Sequence, residues 1–258
     1  MIDPTYRAAL EVFRDAADAV AALLATTTDW GPSGTRVGQY TVDVLADEVC
    51  REPLRSAGYR ILSEESGVNG PDDAWTVVVD PLDGSTNASR GVPWFATALC
   101  LVDTVGPAVA CVANHATHER FTAVRGHGAR RNDELIRPSV CRSLGDAIVG
   151  VSGLPAQHYG WAQFRALGAA APDICAVASG VLDAWCDMND DAHGVWDYLA
   201  ATLICQEAGA VVADALGRDL VVLDADARRV PVVAATPELL DEVLTRRRQS
   251  TVRDGHDN

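Results

Sequence analysis

The chain has 258 residues and a formal net charge of −15, which suits one domain or two closely fused halves. All 21 basic residues are arginine, which excludes catalytic lysine chemistry such as a Schiff base or a P-loop lysine. The acidic balance also lacks the clustered basic surface typical of nucleic-acid binding, so we expect no nucleic-acid partner. An anionic ligand would need arginine, backbone N–H groups or bound cations.

Helical spacing dominates the beginning of the chain. Asp3 followed by Pro4 is typical of a helix N-terminus, and the apolar spacing that follows predicts helices over 4–25 and 42–56. Short apolar and β-branched runs then alternate with turn residues. They predict a short strand at 60–62 and then a sheet of sequential, mostly antiparallel strands at 76–79, 95–102, 108–112 and 119–124.

Strands and helices alternate after about residue 146, which predicts a layered second half. The expected strands are 148–151, 184–188, 211–213 and 232–235. The expected helices are near 158–167, 170–178, 195–208 and 237–247. The chain is thus divided into an α+β half at 1–145, a layered α/β half at 146–248, and a charged tail at 249–258 that we expect to be disordered.

Seven widely spaced cysteines contain no Cys-x-x-Cys pair, and most lie in apolar runs. This pattern is typical of buried free thiols in a reducing cytoplasm. The N-terminal sequence lacks the pattern of a signal peptide, and no apolar run approaches the ~20 residues of a membrane helix. We therefore expect a cytoplasmic protein with no membrane partner.

The strongest candidate site is the segment Asp80–Asn87, DPLDGSTN, which directly follows an apolar strand. Proline and glycine predict a sharp turn, so Asp80 and Asp83 can converge while the Leu82 carbonyl points inward. Hard oxygen ligands of this kind suit Mg²⁺. The N–H groups that follow could face an anion. An ordinary Asx-type turn uses the same residue types, so the segment alone leaves both interpretations open.

Further acidic residues lie where predicted strands end or helices begin. Glu64 and Glu65 follow a short strand, in which neighbours face opposite sides, and we assign Glu64 to a metal and Glu65 to its support. Asp197 and Asp43 each lie at the start of a predicted helix. Helix capping and solvated acidic loops are the ordinary roles of such residues. Only their combination with DPLDGSTN favours a metal site.

Taken in order, these motifs resemble those of the inositol monophosphatase family over about residues 43–235. The matching motifs are Asp43, SEESG at 63–67, DPLDGSTN at 80–87, RALGAA at 165–170, and Trp196-Asp197 through Glu207-Ala208-Gly209. The stretch NASRGVP at 87–93, with Asp187, is similar to the archaeal-type branch, which often hydrolyses both inositol 1-phosphate and fructose 1,6-bisphosphate. The resemblance implies an α/β (α+β) fold, a layered α-β-α-β-α sandwich of the sugar phosphatase type. It also implies a Mg²⁺-dependent phosphomonoesterase, usually a homodimer, acting on small sugar or cyclitol phosphates.

The resemblance also assigns residues by position. Two or three Mg²⁺ ions would be held by Glu64, Asp80, Asp83, Asp197 and the Leu82 carbonyl. The phosphate would be bound by the backbone amides of Gly84, Ser85 and Thr86. The sugar or cyclitol side would be lined by Gly168, Ala170 and Asp187, with Arg165 as a further candidate for substrate binding. The catalytic residues would be Asp43, Glu64 and Ser85, of which Asp43 and Ser85 orient the attacking water.

Departures from the family pattern bear on the substrate. Ser85 stands where the family usually has Thr, and only Arg36 is near the position of a common Lys. Asp187 is shorter than the Glu of animal-type inositol enzymes. Asn87 argues against 3′-phosphoadenosine 5′-phosphate and histidinol phosphate as substrates. We predict a phosphatase for inositol 1-phosphate and related sugar phosphates. The alternatives are fructose-1,6-bisphosphatase activity, alone or dual, and an idle metal- or phosphate-binding regulator.

Overall fold

The computed structural model describes residues 2–36 and 38–254. Its helices are α1 Pro4–Thr26, α2 Thr41–Ser56, α3 Ser85–Arg90, α4 Ala170–Ala178, α5 Val195–Ala208 and α6 Pro237–Asp254. The Asp3 side chain accepts a hydrogen bond from the N–H of Thr5, and Pro4 occupies the first helical position of α1. This is the helix start that the sequence predicted.

Two sheets follow. The strands of the first sheet are β1 Arg60–Ser63, β2 Gly67–Asn69, β3 Thr76–Asp83, β4 Ala96–Val102, β5 Pro107–Asn114, β6 Glu119–Val124, β7 Ala129–Arg131 and β8 Glu134–Leu135. Those of the second are β9 Ile148–Ser152, β10 Gln163–Arg165, β11 Ala184–Asp187, β12 Val211–Asp214 and β13 Pro231–Ala234. The spatial orders are β2-β1-β3-β4-β5-β6-β7-β8 and β10-β9-β11-β13-β12. From β3 to β8 each strand pairs antiparallel with the next, which the sequence predicted for β3 to β6. The short strand β1 pairs in parallel with β3.

The sheets and helices stack in layers. Because successive residues of a strand face opposite sides, Ile61 packs with α1 and α2, whereas Leu62 packs with α4 and α5. In the second sheet, Val233 faces the core that contains α4 and α5, and Val232 packs with Leu239 of α6. The helices α4 and α5 therefore lie between the two sheets. This α-β-α-β-α order is the sandwich that the family resemblance implied.

The predicted helix near 158–167 is wrong. Gly160 has a φ of +98°, which interrupts a helix. The following residues form β10, which pairs in parallel with β9 at the edge of the second sheet. Trp161 is buried in the core beneath α6. Strand pairing and packing of this indole override the helical pattern of the local sequence.

The last helix is longer than the sequence predicted. Helix α6 runs to Asp254 and so enters the segment 249–258 for which we expected disorder. Arginine and glutamine have good helix propensity, and extending an existing helix costs less than starting one. The rest of the expected tail, residues 255–258, lies outside the described residues.

The cysteines agree with the expectation of buried free thiols. All seven cysteines are free thiols, and six of them are buried. Across residues 2–36 and 38–254, none of the helices combines the length and the apolar character that crossing a bilayer requires.

Candidate active site

Four carboxylates lie together where elements of the first sheet meet α5. Glu64 directly follows β1, Asp80 lies in β3, and Asp197 lies in the first turn of α5. One carboxylate oxygen from each of these three lies within 4.8 Å of the others. Asp83 is close enough for its charge to raise the pKa of Glu64 and Asp80. We call these four residues the carboxylate cluster.

A bulge in β3 explains how Asp80 and Asp83 reach the same site. Asp80 lies opposite Ala98 of β4, and Asp83 lies opposite Ala96, so a step of three residues in β3 faces a step of two in β4. Residues three apart in a regular strand face opposite sides, and the extra residue returns Asp83 to the side of Asp80. The N–H of Leu82 donates to Asp80 Oδ1 at 3.0 Å within this bulge. The sharp turn expected here is thus a bulged continuation of the strand.

Burial raises the pKa of Glu64, Asp80 and Asp83, and repulsion between neighbouring carboxylates raises it further. The pKa of Glu64 rises from 4.5 to about 8 and that of Asp83 from 3.8 to about 7. The pKa of Asp80 is also raised. The backbone N–H of Ala171 donates to Asp83 Oδ2 at 2.6 Å and opposes the rise at Asp83. Concentrated negative charge of this kind is relieved by a bound divalent cation.

Glu65 has different partners from its neighbour. Its carboxylate contacts the guanidinium of Arg36 and the side-chain amide of Gln39. Arg36 also donates to the Glu64 carbonyl oxygen at 3.3 Å. Glu65 therefore anchors the backbone that carries Glu64, which is the supporting role that the sequence suggested.

Asp43 and Ser85 lie side by side at the edge of the cluster. Asp43 Oδ2 accepts a hydrogen bond from the N–H of Tyr40 at 2.8 Å. Its Oδ1 is buried and has no hydrogen-bond partner within the described part of the chain. Burial raises the pKa of Asp43 to about 6, and the neighbouring Ser85 hydroxyl opposes that rise. An unpartnered buried oxygen beside a hydroxyl is a place where a water molecule can bind.

Gly84 connects the bulge to the short helix α3. Glycine is the one residue type that fits the backbone conformation and the close contacts at this position. Its φ is +84°, and a Cβ there would lie 2.9 Å from the Cβ of Ala169 and 3.0 Å from the Trp94 carbonyl oxygen. Glycine thus lets the backbone of Gly84, Ser85 and Thr86 pack closely against the segment before α4. Gly168, with a φ of +89°, meets the side-chain amide of Asn87 in the same region.

A cavity of about 210 Å³ opens beside the cluster. Asp83 and Asp197 contribute to its lining, as do Gly168 and Ala170. The other lining residues are Val151, Ser152, Gly153, Ala166, Ala169, Asp173 and His193. Short side chains and backbone form most of this wall, which leaves room for a small polar ligand.

Two predicted substrate residues lie outside this lining. Asp187 is fully buried, and its Oδ1 accepts hydrogen bonds from the backbone and side chain of Asn189 at 2.9 and 3.0 Å. Its Oδ2 lies 3.7 Å from His193 Nε2, so Asp187 lies behind the histidine. Arg165 is exposed on β10 and donates to the Phe164 carbonyl and to Gln163 Oε1.

The sequence profile of the inositol monophosphatase family matches residues 37–253, a span that contains the carboxylate cluster, Gly84 and the cavity lining. The chain belongs to the inositol monophosphatase family. Membership makes it a phosphatase, and the layered fold and the group of potential metal ligands agree with this.

Individual members of the inositol monophosphatase family are similar over most of their length. The Nus factor SuhB of Pasteurella multocida is 31% identical over 223 residues, which cover 80% of each chain. The fructose-1,6-bisphosphatase/inositol-1-monophosphatase of Methanocaldococcus jannaschii is 30% identical and covers 83% of this chain and 85% of its own. The crystal structure of the extragenic suppressor protein suhB from Bartonella henselae superposes with a TM-score of 0.80 at 27% identity, covering 94% and 99%.

The structure adds residues to which the sequence analysis assigns no role. His193 Nδ1 lies 3.0 Å from Asp197 Oδ2, and its Nε2 lies 3.1 Å from the Ser152 hydroxyl. Asp47 is buried and accepts a hydrogen bond from the Ser63 hydroxyl at 2.5 Å. Its spacing of four residues from Asp43 on one helix was the available signal.

Asp173 is a further missed residue. It lines the cavity and is 1% exposed. Burial raises its pKa to about 8, although hydrogen bonds from Trp94 and Trp185 oppose the rise. The sequence signal was a single carboxylate inside the otherwise apolar helix α4, where it has no periodic pattern to mark it.

Proposed function

We propose that this phosphatase is a Mg²⁺-dependent phosphomonoesterase acting on inositol 1-phosphate and related sugar or cyclitol phosphates. The observation that carries the proposal is the convergence of Glu64, Asp80 and Asp197 within 4.8 Å, with Asp83 beside them. An all-oxygen carboxylate set of this kind is what Mg²⁺ prefers. Burial and the neighbouring negative charges raise the pKa of Glu64, Asp80 and Asp83, and a divalent cation would neutralise that charge.

The site residues divide by role. Two or three ions would be held by Glu64, Asp80, Asp83, Asp197 and the Leu82 carbonyl oxygen. Bound Mg²⁺ makes water more acidic and offsets negative charge on the phosphate and the leaving oxygen. Asp43 Oδ1, which is buried and unpartnered among the described residues, would accept a hydrogen bond from the attacking water, with Ser85 orienting it from the other side.

The phosphate and the sugar would occupy adjoining parts of the site. The backbone amides of Gly84, Ser85 and Thr86 would bind the phosphate, because Gly84 allows close backbone approach there. Gly168 and Ala170 would line the sugar or cyclitol side, since both belong to the cavity wall. In this arrangement Asp187 acts on the substrate only by way of His193, which lies between it and the cavity.

Fructose-1,6-bisphosphatase activity is the second candidate. The relative from M. jannaschii carries both activities in its name. A bisphosphate has a second anionic group to bind, and Arg165 donates only to neutral oxygens in its described hydrogen bonds, so its positive charge is not neutralised by them. We therefore propose dual activity as the alternative to a dedicated inositol enzyme.

Phosphate release by the purified protein tests these alternatives. The substrates are inositol 1-phosphate, fructose 1,6-bisphosphate, histidinol phosphate and 3′-phosphoadenosine 5′-phosphate, each with Mg²⁺ and again with EDTA. We expect EDTA-sensitive turnover, with the highest kcat/KM on inositol 1-phosphate. Preference for fructose 1,6-bisphosphate would favour the second candidate. A folded protein with no turnover on any of them would favour a binding regulator.

The Mg²⁺ requirement should depend on pH. Glu64 and Asp83 have pKa values of about 8 and about 7 and must lose their protons to bind a cation. We expect the Mg²⁺ concentration for half-maximal activity to fall by up to about a hundredfold per pH unit below about pH 7, where two protons must be lost, and by up to about tenfold per unit between about pH 7 and 8, and to level off above about pH 8. Titrations of Mg²⁺ at a series of pH values measure this. A requirement that is flat over the range would contradict the assignment.

The stability of the metal-free protein should decrease as pH rises, whereas Mg²⁺ binding should become stronger. A carboxyl group with a raised pKa in the folded state contributes stability that is fully present below its unfolded pKa, near about 4, and is lost as pH rises through about 7 to 8. Thermal unfolding with and without Mg²⁺ should therefore show the largest stabilisation by the ion at the higher pH. This provides a check that does not depend on activity.

We also propose a homodimer in the cytoplasm, as the family resemblance implies. The large apolar side chains of Leu154, Phe164 and Val181 are exposed and offer surface for such an association. The free thiols fit a reducing compartment.

A further inference from the structure

One buried carboxylate has no part in the proposed reaction. Asp173 lies in the first turn of α4, next to the cavity. Its two oxygens accept hydrogen bonds from two different indoles. Oδ1 accepts from Trp94 Nε1 at 2.7 Å, and Oδ2 accepts from Trp185 Nε1 at 3.1 Å. Burying a carboxyl group is costly unless such partners are present. For stability alone an apolar residue would be the better choice at this position, which indicates that the two hydrogen bonds have another role.

The two hydrogen bonds of Asp173 define two branches, one through Trp94 and one through Trp185. The Trp94 branch leads to residues 84–87, which comprise Gly84 and the first residues of α3 and are called here the turn 84–87. The carbonyl oxygen of Trp94 accepts a hydrogen bond from Asn87 Nδ2 at 2.8 Å, and the same amide donates to the Leu167 carbonyl at 2.8 Å. A Cβ on Gly84 would lie 3.0 Å from this Trp94 oxygen. The main chain at Trp94 is therefore the wall against which the turn packs, and Asp173 holds the side chain of the same residue.

The Trp185 branch leads to the metal side. The indole of Trp185 packs against the His193 ring, with centroids 5.6 Å apart. His193 Nδ1 lies 3.0 Å from Asp197 Oδ2. There is little room for the indole to shift, because a Cβ on Gly150 would lie only 2.7 Å from its Cδ1. The position of Trp185 thus constrains the histidine that contacts Asp197.

We propose that Asp173 is a positioning residue that fixes, through Trp94 and Trp185, the separation between the turn 84–87 and the His193–Asp197 side of the carboxylate cluster. The inference rests on the proposed function, which assigns the turn to phosphate and Asp197 to the metal. It assigns Asp173 no contact with substrate. Its effect passes through one tryptophan on each side.

Single variants separate the two branches. Trp94→Phe removes the indole N–H on the phosphate side together with part of the ring volume, and we expect KM to rise about tenfold with the Mg²⁺ requirement unchanged. Trp185→Phe should raise the half-maximal Mg²⁺ concentration about tenfold with little change in KM. Asp173→Asn keeps the volume but can accept through only one oxygen, so it should change both constants.

A matched control distinguishes positioning from general stability. Asp214 is also a buried carboxylate that accepts several hydrogen bonds, at the end of β12 and outside the cavity lining. Asp214→Asn should lower thermal stability and leave both kinetic constants within about twofold of the wild type. If Asp173→Asn behaves in the same way, Asp173 is only structural. If Trp94→Phe and Trp185→Phe change the same constant, the two-branch arrangement is wrong.

A readout without turnover separates this inference from the proposed function. Amide hydrogen exchange of the metal-free protein should be faster across 84–91 in Asp173→Asn and Trp94→Phe, and unchanged there in Asp214→Asn. Unchanged exchange at 84–91 in both site variants would overturn the positioning role even if the wild type is active. Wild-type protein that releases no phosphate would overturn the proposed function, while the exchange result still decides the role of Asp173.

Discussion

Asp83→Asn should abolish nearly all phosphate release while the protein remains folded. The amide keeps the volume of the side chain and an oxygen that can accept the Ala171 N–H, which now donates to Asp83 at 2.6 Å. It removes one negative charge from a cluster whose other members are Glu64, Asp80 and Asp197. Loss of a charged group from the reacting centre typically costs a hundredfold or more, so we expect kcat/KM to fall by at least about 10².

The thermal stability of Asp83→Asn provides a second, independent test of the same assignment. Burial and repulsion raise the pKa of Asp83 to about 7, so its ionised form is costly in the metal-free fold at about pH 8. Without metal, Asp83→Asn should therefore unfold at the same temperature as the wild type or higher. Its stabilisation by Mg²⁺ should be smaller. Asp73→Asn, at an exposed position, is the control for the loss of one charge. Near wild-type turnover in Asp83→Asn would refute the metal assignment.

Gly84→Ala should lower both stability and activity. The backbone there has a φ of +84°, and the new methyl group would meet the Ala169 Cβ at 2.9 Å and the Trp94 carbonyl at 3.0 Å. One of these contacts is backbone, so the turn itself must shift. We expect a loss of about 2–4 kcal/mol in the free energy of unfolding, from the left-handed conformation plus the overlap. We also expect kcat/KM to fall by about 10², because the amides that we propose bind the phosphate would move.

The control for Gly84→Ala is Gly58→Ala. Gly58 has nearly the same φ, +82°, yet a Cβ there would meet nothing within 4 Å. Gly58→Ala, at a position between α2 and β1, should therefore lower the free energy of unfolding by the conformational cost alone, about 1–2 kcal/mol. Chemical denaturation and phosphate release on both variants separate strain from overlap. Equal losses in the two variants would show that close packing at Gly84 has no role.

The acidic residues could be predicted from the sequence because their positions depend on local order. Asp80 and Asp83 follow the apolar run at 76–79, and Asp197 lies near the start of a helix, so each could be placed on its own element. The bulge that aligns Asp80 with Asp83 could not be predicted, because it is defined by pairing with Ala96 and Ala98 of another strand. A turn and a bulge use the same proline and glycine.

Residues whose role depends on distant partners were not predictable. Asp173 acquires its partners from Trp94 and Trp185, which belong to other segments of the chain. The helix expected near 158–167 failed for the same reason, since an open sheet edge and a buried Trp161 decide that conformation. The spacing of apolar residues in a short segment does not show whether the segment lies at a sheet edge or which distant residues pack against it.

The position of α5 between the two sheets has a consequence for the order in which the chain is made. Val78, Ala110 and Val112 of the first sheet are buried only in a core that α4 and α5 complete. A nascent chain that has emerged only as far as β8 therefore presents a wide apolar surface to the cell, with three unneutralised carboxylates at its edge. The apolar face of the first sheet can be buried only after α5 has been synthesised. We therefore expect the two halves of the sequence to fold together.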